Sequence, residues 1–159
     1  MSVSINLYKV AKAEKIDELN DLTTELRNAH PSKIDLYKFT EDLAIIFLNN
    51  VDPFDDTESL PYKMLFGNGN LMLFEYPEIG GFLSTSEVLQ VSDWLKQNNI
   101  ATFEGFSKLY DHLSEEVRNQ LVDIGSPTKE ELFNGFVKPL SEFYSAAEKG
   151  HNSVLVCGE

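Results

Sequence analysis

Residues 143–157 read Phe143-Tyr144-Ser145-Ala146-Ala147-Glu148-Lys149-Gly150-His151-Asn152-Ser153-Val154-Leu155-Val156-Cys157, and the reading of this stretch decides the fold class. Its first half completes an apolar stripe of Leu132, Phe133, Phe136, Leu140, Phe143, Tyr144 and Ala147 at helical spacing. Gly150 closes that helix, and Asn152 to Cys157 reads as a strand. So short a strand needs a neighbour, because its backbone groups would otherwise go unpaired. A second short strand lies at the other end of the chain. Val3, Ile5 and Leu7 alternate with Ser4 and Asn6, and Tyr8 and Val10 then switch the apolar face, which implies a bend or burial on both sides. Each strand is flanked by a helix that can cover it, so the two are expected in one sheet.

Between these ends the pattern is mostly helical. Ile16, Leu19, Leu22 and Leu26 predict a helix directly after the first strand, ended by Pro31. Leu36, Phe39, Leu43, Ile46 and Phe47 predict another from about Asp35 to Asn49. Ser59 to Phe66 is ambiguous: Tyr62, Met64 and Phe66 alternate like a strand, yet Ser59 as cap, Pro61 in the first turn and Gly67 at the end favour a short helix. Gly67 to Asn70 reads as a turn, Leu71 to Phe74 as a buried strand, and Pro77, Gly80 and Gly81 as breakers. Ser84-Thr85-Ser86-Glu87 is a capping box ahead of Val88, Val91 and Leu95. Thr102 caps a helix bearing Phe103, Phe106, Leu109, Tyr110 and Leu113, and Val117, Leu121 and Ile124 continue it to Gly125. Ser126-Pro127 should start the last helix, with Pro139 kinking it. The expectation is an α+β domain over residues 1–159: a small sheet including both terminal strands, packed by about five to six helices.

Charge excludes several functions. Acids outnumber bases 26 to 13, a net charge of -13, so a nucleic-acid backbone would be repelled. One cysteine excludes a disulfide framework and a four-thiolate zinc site. The longest aliphatic and aromatic run, Leu43 to Leu48, is too short to span a bilayer. The N-terminus lacks the basic start and apolar middle of a signal peptide, so a soluble cytoplasmic protein is expected. The imbalance is concentrated. Residues 39–95 hold ten acids against Lys63 alone, whereas residues 1–38 are neutral. The densest part is Asp52, Asp55, Asp56 and Glu58 in a predicted loop. Such a loop serves either as a solvated surface or as a docking surface for a basic partner.

Catalytic motifs are missing. There is no phosphate loop, dinucleotide fingerprint, His-Glu-x-x-His helix or Gly-x-Ser-x-Gly elbow. His30, His112 and His151 are isolated in sequence. Cys157 stands two residues from the end and reads as a packing residue, and Trp94 as core. Asp52, Asp55, Asp56 and Glu58 lack the spacing and turn glycine of an EF-hand loop. No cofactor and no metal are expected.

Four segments taken in order resemble the YfbM-like family, bacterial proteins of unknown function. They are the opening strand running into an acidic helix; Asp35-Leu36-Tyr37-Lys38-Phe39 with Leu43 and Phe47-Leu48; Gly81-Phe82-Leu83-Ser84-Thr85-Ser86-Glu87-Val88; and Phe143 to Gly150 followed by Val154-Leu155-Val156. The likeness runs over nearly the whole chain. The Gly67-Asn68-Gly69 turn departs from the family's adjacent glycines, and the Asp52–Glu58 loop matches no family pattern. The resemblance implies an α+β fold and carries no activity. Two functional classes therefore stand. One is a non-catalytic acidic binding module, such as an immunity-type protein that neutralises a basic toxin. The other is a small enzyme whose site assembles from scattered carboxylates and histidines.

Overall fold

The structure, a computed structural model, describes residues 5–19, 33–68 and 78–158. Strand β1 (Ile5–Val10) comes first, then a 3-10 turn (Ile16–Glu18) and β2 (Lys33–Asp35). Helices α1 (Thr40–Leu48) and α2 (Leu60–Phe66) follow, then β3 (Glu78–Leu83). Next come α3 (Thr85–Gln97), α4 (Phe103–Asp111) and α5 (Glu115–Asp123). Helix α6 starts at Lys129–Leu132, passes through a π turn (Phe133–Val137) and continues as Lys138–Lys149. Strand β4 (Ser153–Gly158) ends the described chain.

The sheet is antiparallel with strand order β2-β1-β4-β3, so the terminal strands are the two central ones. Leu7 lies opposite Val156, and Tyr8 opposite Leu155. Both faces are buried, which is why the apolar pattern of β1 does not simply alternate. Leu7, Leu83, Val154 and Val156 pack into the main core with the helices. Tyr8, Val10, Phe82, Leu155 and Cys157 face the other way, onto Ala13 and Leu19. Tyr144 is fully buried at the centre of α6, and its hydroxyl donates to the carbonyl of Met64 on α2.

Local pattern and tertiary structure part company at several places. Of the helix expected from Ile16, the described residues include only the start, a 3-10 turn (Ile16–Glu18) that gives way at Leu19, which is extended (φ -79, ψ 125) and buried against the second sheet face. Leu22, Leu26 and Pro31 lie outside the described residues, as do Gly69 to Phe74. The helix expected from Asp35 begins as a 3-10 turn (Tyr37–Phe39) and becomes α-helical at Thr40, since residues 33–35 pair with β1 instead, Ile34 opposite Leu7. Gly80 and Gly81 do not break the chain. They lie within β3, which carries a bulge between Ile79 and Gly81. The helical run after Thr102 stops at His112 and restarts when the Ser114 hydroxyl accepts from the Val117 amide. The cap of the last helix is Thr128, in a capping box with Glu131, rather than Ser126. Pro139 is met by the π turn, which spans Gly135, the residue whose carbonyl the pyrrolidine ring would strike in a regular helix. Beyond Gly150 it is His151 that adopts the left-handed conformation, at φ 53.

Other expectations hold. Ser59 caps α2, with Pro61 in its first turn, and Asn49 ends α1 at φ 49. Ser84 accepts from the Glu87 amide at 3.1 Å while the Glu87 carboxylate accepts from the Ser84 amide at 3.1 Å. Ser84→Ala is expected to cost about 1 kcal/mol, read as a lower denaturant midpoint at unchanged slope.

Asp42 differs from its neighbour Glu41. Both lie in the first turn of α1, but Asp42 is only 9% exposed while Glu41 is exposed. Burial raises its carboxyl above the ordinary 3.8, outweighing the nearby Lys38 ammonium. The folded chain thus holds this proton more tightly than the unfolded chain does. Its contribution is favourable below about pH 4 and is lost as pH rises through the raised value. Asp42→Asn should therefore raise the denaturant midpoint at pH 7, with the gain shrinking towards pH 3. A gain that grows on acidification would contradict this.

Candidate functional site

The acidic loop is an ordered turn rather than a slack segment. The amide of Asp52 donates to Asn50 Oδ1 at 2.9 Å, and the amide of Phe54 donates to Asp52 Oδ1 at 3.1 Å. Asp52 thereby caps a 3-10 turn (Pro53–Asp55) whose Pro53 is buried. Ser59 closes the loop, its hydroxyl donating to the Asp56 carbonyl at 2.9 Å. These bonds hold Asp52, Asp55, Asp56 and Glu58 in one short exposed arc.

Phe54 stands in the middle of that arc. Its ring is 51% exposed, with the inner side resting 5.7 Å from Phe66 and 6.1 Å from Tyr62. The Phe66 and Tyr62 rings lie 4.8 Å apart and make an aromatic base for it. Burial raises the Tyr62 hydroxyl further above neutral pH, so this base stays uncharged. Lys63 does little to offset the acids of the loop. Its ammonium lies 3.6 Å from Glu58 and 3.8 Å from Glu87, shared between two carboxylates. An exposed aromatic ring framed by carboxylates is a surface that can seat an apolar group flanked by basic side chains.

The catalytic alternative finds its groups dispersed. His112 lines a groove of about 530 Å³ between the ends of α1, α3 and α4, its Nδ1 2.7 Å from the Lys108 carbonyl. His151 lines a different groove of about 540 Å³. His30 lies outside the described residues. Cys157 is buried in β4 on the second face of the sheet. Among the described residues, no three of His, Cys, Asp and Glu are placed to hold a metal ion, the four loop acids included. Trp94 packs on Phe47 at 5.8 Å, a half-buried part of the core. No described helix is long and apolar enough to cross a membrane.

A solved structure described as a protein of unknown function, YfbM from Escherichia coli, superposes with a TM-score of 0.51. The match covers 98% of this chain and 99% of that one, at 17% identity. The fold is YfbM-like. No protein-family model matches the chain, and no curated protein sequence does either. The fold therefore brings no activity with it, and the reading of function depends on the surface itself.

Phe54 is the functional candidate that the sequence did not single out. Its signal was present: it is the phenylalanine that stands in the predicted loop, between Asp52 and Asp55.

Proposed function

We propose that this YfbM-like protein is a non-catalytic acidic binding module that docks a basic protein through the 52–58 loop, with Phe54 as the apolar anchor. An immunity-type protein neutralising a basic toxin is one concrete form of this reading. The observation that carries it is the half-exposed Phe54 ring inside the arc of Asp52, Asp55, Asp56 and Glu58. Aromatic anchors dominate binding energy, and surrounding charge steers the encounter. The two contributions separate kinetically. Changing Asp55, Asp56 and Glu58 to Asn or Gln, with Asp52→Asn, should slow association more than it hastens dissociation. The Asn at position 52 keeps an oxygen for the turn. Phe54→Ala should hasten dissociation by roughly tenfold or more and leave association close to unchanged.

The test begins with capture from a lysate of the source organism at low salt and elution by a salt gradient. Association and dissociation rates of the captured basic protein are then measured with the three forms of the chain. Rates indifferent to salt, to the acid replacements and to Phe54→Ala would place the interface elsewhere and end this reading. The enzyme reading draws less support. Glu148, which lines the same groove as His151, is held below the ordinary carboxylate range, chiefly by Lys96 and Ser92. A carboxylate held as an anion exchanges protons poorly near neutral pH.

A further inference from the structure

The groove beside His151 gathers positive charge in a chain that is strongly acidic overall. Three elements build it. Lys12 and Glu14 come from the segment after β1, Lys96 from α3, and Lys149 with His151 from the end of α6 and the turn into β4. The floor is tied down. The Ala13 amide donates to Thr85 Oγ1 at 3.2 Å, Asn152 Nδ2 donates to the Val10 carbonyl at 2.7 Å, and Ser153 Oγ donates to the Ala11 carbonyl at 2.6 Å. His151 keeps a left-handed backbone there, an uncommon state for a residue with a side chain.

Both carboxylates in the groove already have partners. Glu14 accepts from the Ser86 amide at 3.2 Å and from the Ser86 hydroxyl at 2.8 Å, so it occupies the N-terminal end of α3. Glu148 accepts from Lys96 Nζ at 2.8 Å and from the Ser92 hydroxyl. Among the described residues, Lys12 and Lys149 enter no ion pair. Lysines outnumber carboxylates three to two in the lining, and the two ammonium groups outside any ion pair stand there with the His151 imidazole beside them. The apolar part of the wall is Leu89, 46% exposed, with Ala147 buried below. The volume of about 540 Å³ lies within the range of small-molecule sites.

We infer that this groove binds a small phosphorylated organic molecule, its phosphate between Lys12 and Lys149 and its carbon skeleton against Leu89. A phosphate monoester carries close to two negative charges and three acceptor oxygens, which suits two ammonium groups better than a single carboxylate does. The site shares no residue with the 52–58 loop, so it stands apart from the docking reading.

The test is a titration of the ¹⁵N-labelled full chain, at constant ionic strength, with glycerol phosphate, inorganic phosphate, succinate and glycerol. Glycerol phosphate should shift the amides of residues 12–14, 85–89 and 147–152 and should saturate. Inorganic phosphate should bind the same residues more weakly, and glycerol should do nothing. Lys12→Gln with Lys149→Gln should weaken glycerol phosphate by roughly tenfold or more. Both lysines are exposed, so an unchanged thermal midpoint will show that this variant is folded. Three results would overturn the inference. They are shifts that spread over distant lysines such as Lys108 and Lys138 without saturating, tighter binding of succinate than of glycerol phosphate, and binding that survives the double substitution.

Discussion

Phe106→Ala is expected to cost about 3–5 kcal/mol of folding stability. Phe106 is wholly buried on α4 and forms the meeting point of three rings. Phe133, in the π turn of α6, lies 6.0 Å away, Tyr110 on α4 itself 6.0 Å, and Phe47 on α1 6.4 Å. Truncation would remove the contact between three helices at once, and ring neighbours of this size cannot collapse far into the space left. Phe103, a turn earlier on α4, gives the internal comparison. It touches Phe133 at 5.5 Å but is 40% exposed, so Phe103→Ala should cost well under half as much. Urea unfolding of both variants measures the difference. Equal losses would mean that α4 is not anchored through Phe106.

Gly81→Ala is expected to cost about 3 kcal/mol, the upper end of overpacking penalties. A Cβ at Gly81 would stand 2.1 Å from the carbonyl oxygen of Phe66 and 3.0 Å from the Cα of Gly67. The obstacle is backbone, so no rotamer change relieves it. The end of α2 is fixed there by the Asn68 amide, which donates to the Phe82 carbonyl at 3.1 Å. Either β3 must leave β4 or α2 must leave the sheet. Gly135→Ala is the control. That site has open space for a Cβ and lies in a helical segment, so the change should be neutral or stabilising by up to about 1 kcal/mol. If Gly81→Ala behaved like Gly135→Ala, the contact between α2 and β3 would be wrong.

Of the candidate site, the sequence revealed the acids but not their frame. Asp52, Asp55, Asp56 and Glu58 were visible as a cluster because charge is a property of composition along the chain. The exposure of Phe54 was not visible, because it depends on Tyr62 and Phe66 filling the space beneath it. The Lys12, Lys96, Lys149 and His151 groove is built from residues up to 139 positions apart, and no spacing rule connects them.

By itself the sequence determined the α+β class, the pairing of the chain's two ends and most helix starts. These are local properties: Ser59, Ser84 and Thr102 satisfy amides within their own first turn, whatever the rest of the chain does. Tertiary structure alone decided where periodicity gives way to partnership. Lys33–Asp35 became a strand because the free edge of β1 offered hydrogen bonds that a helix would have left unmade. Gly80 and Gly81 stayed within a strand because β4 and the end of α2 hold them there. Asp42 was buried by packing, and its raised carboxyl followed from that. A helix cap needs only its neighbours in sequence, whereas a strand edge, a buried charge and a binding groove need residues that only the completed fold brings together.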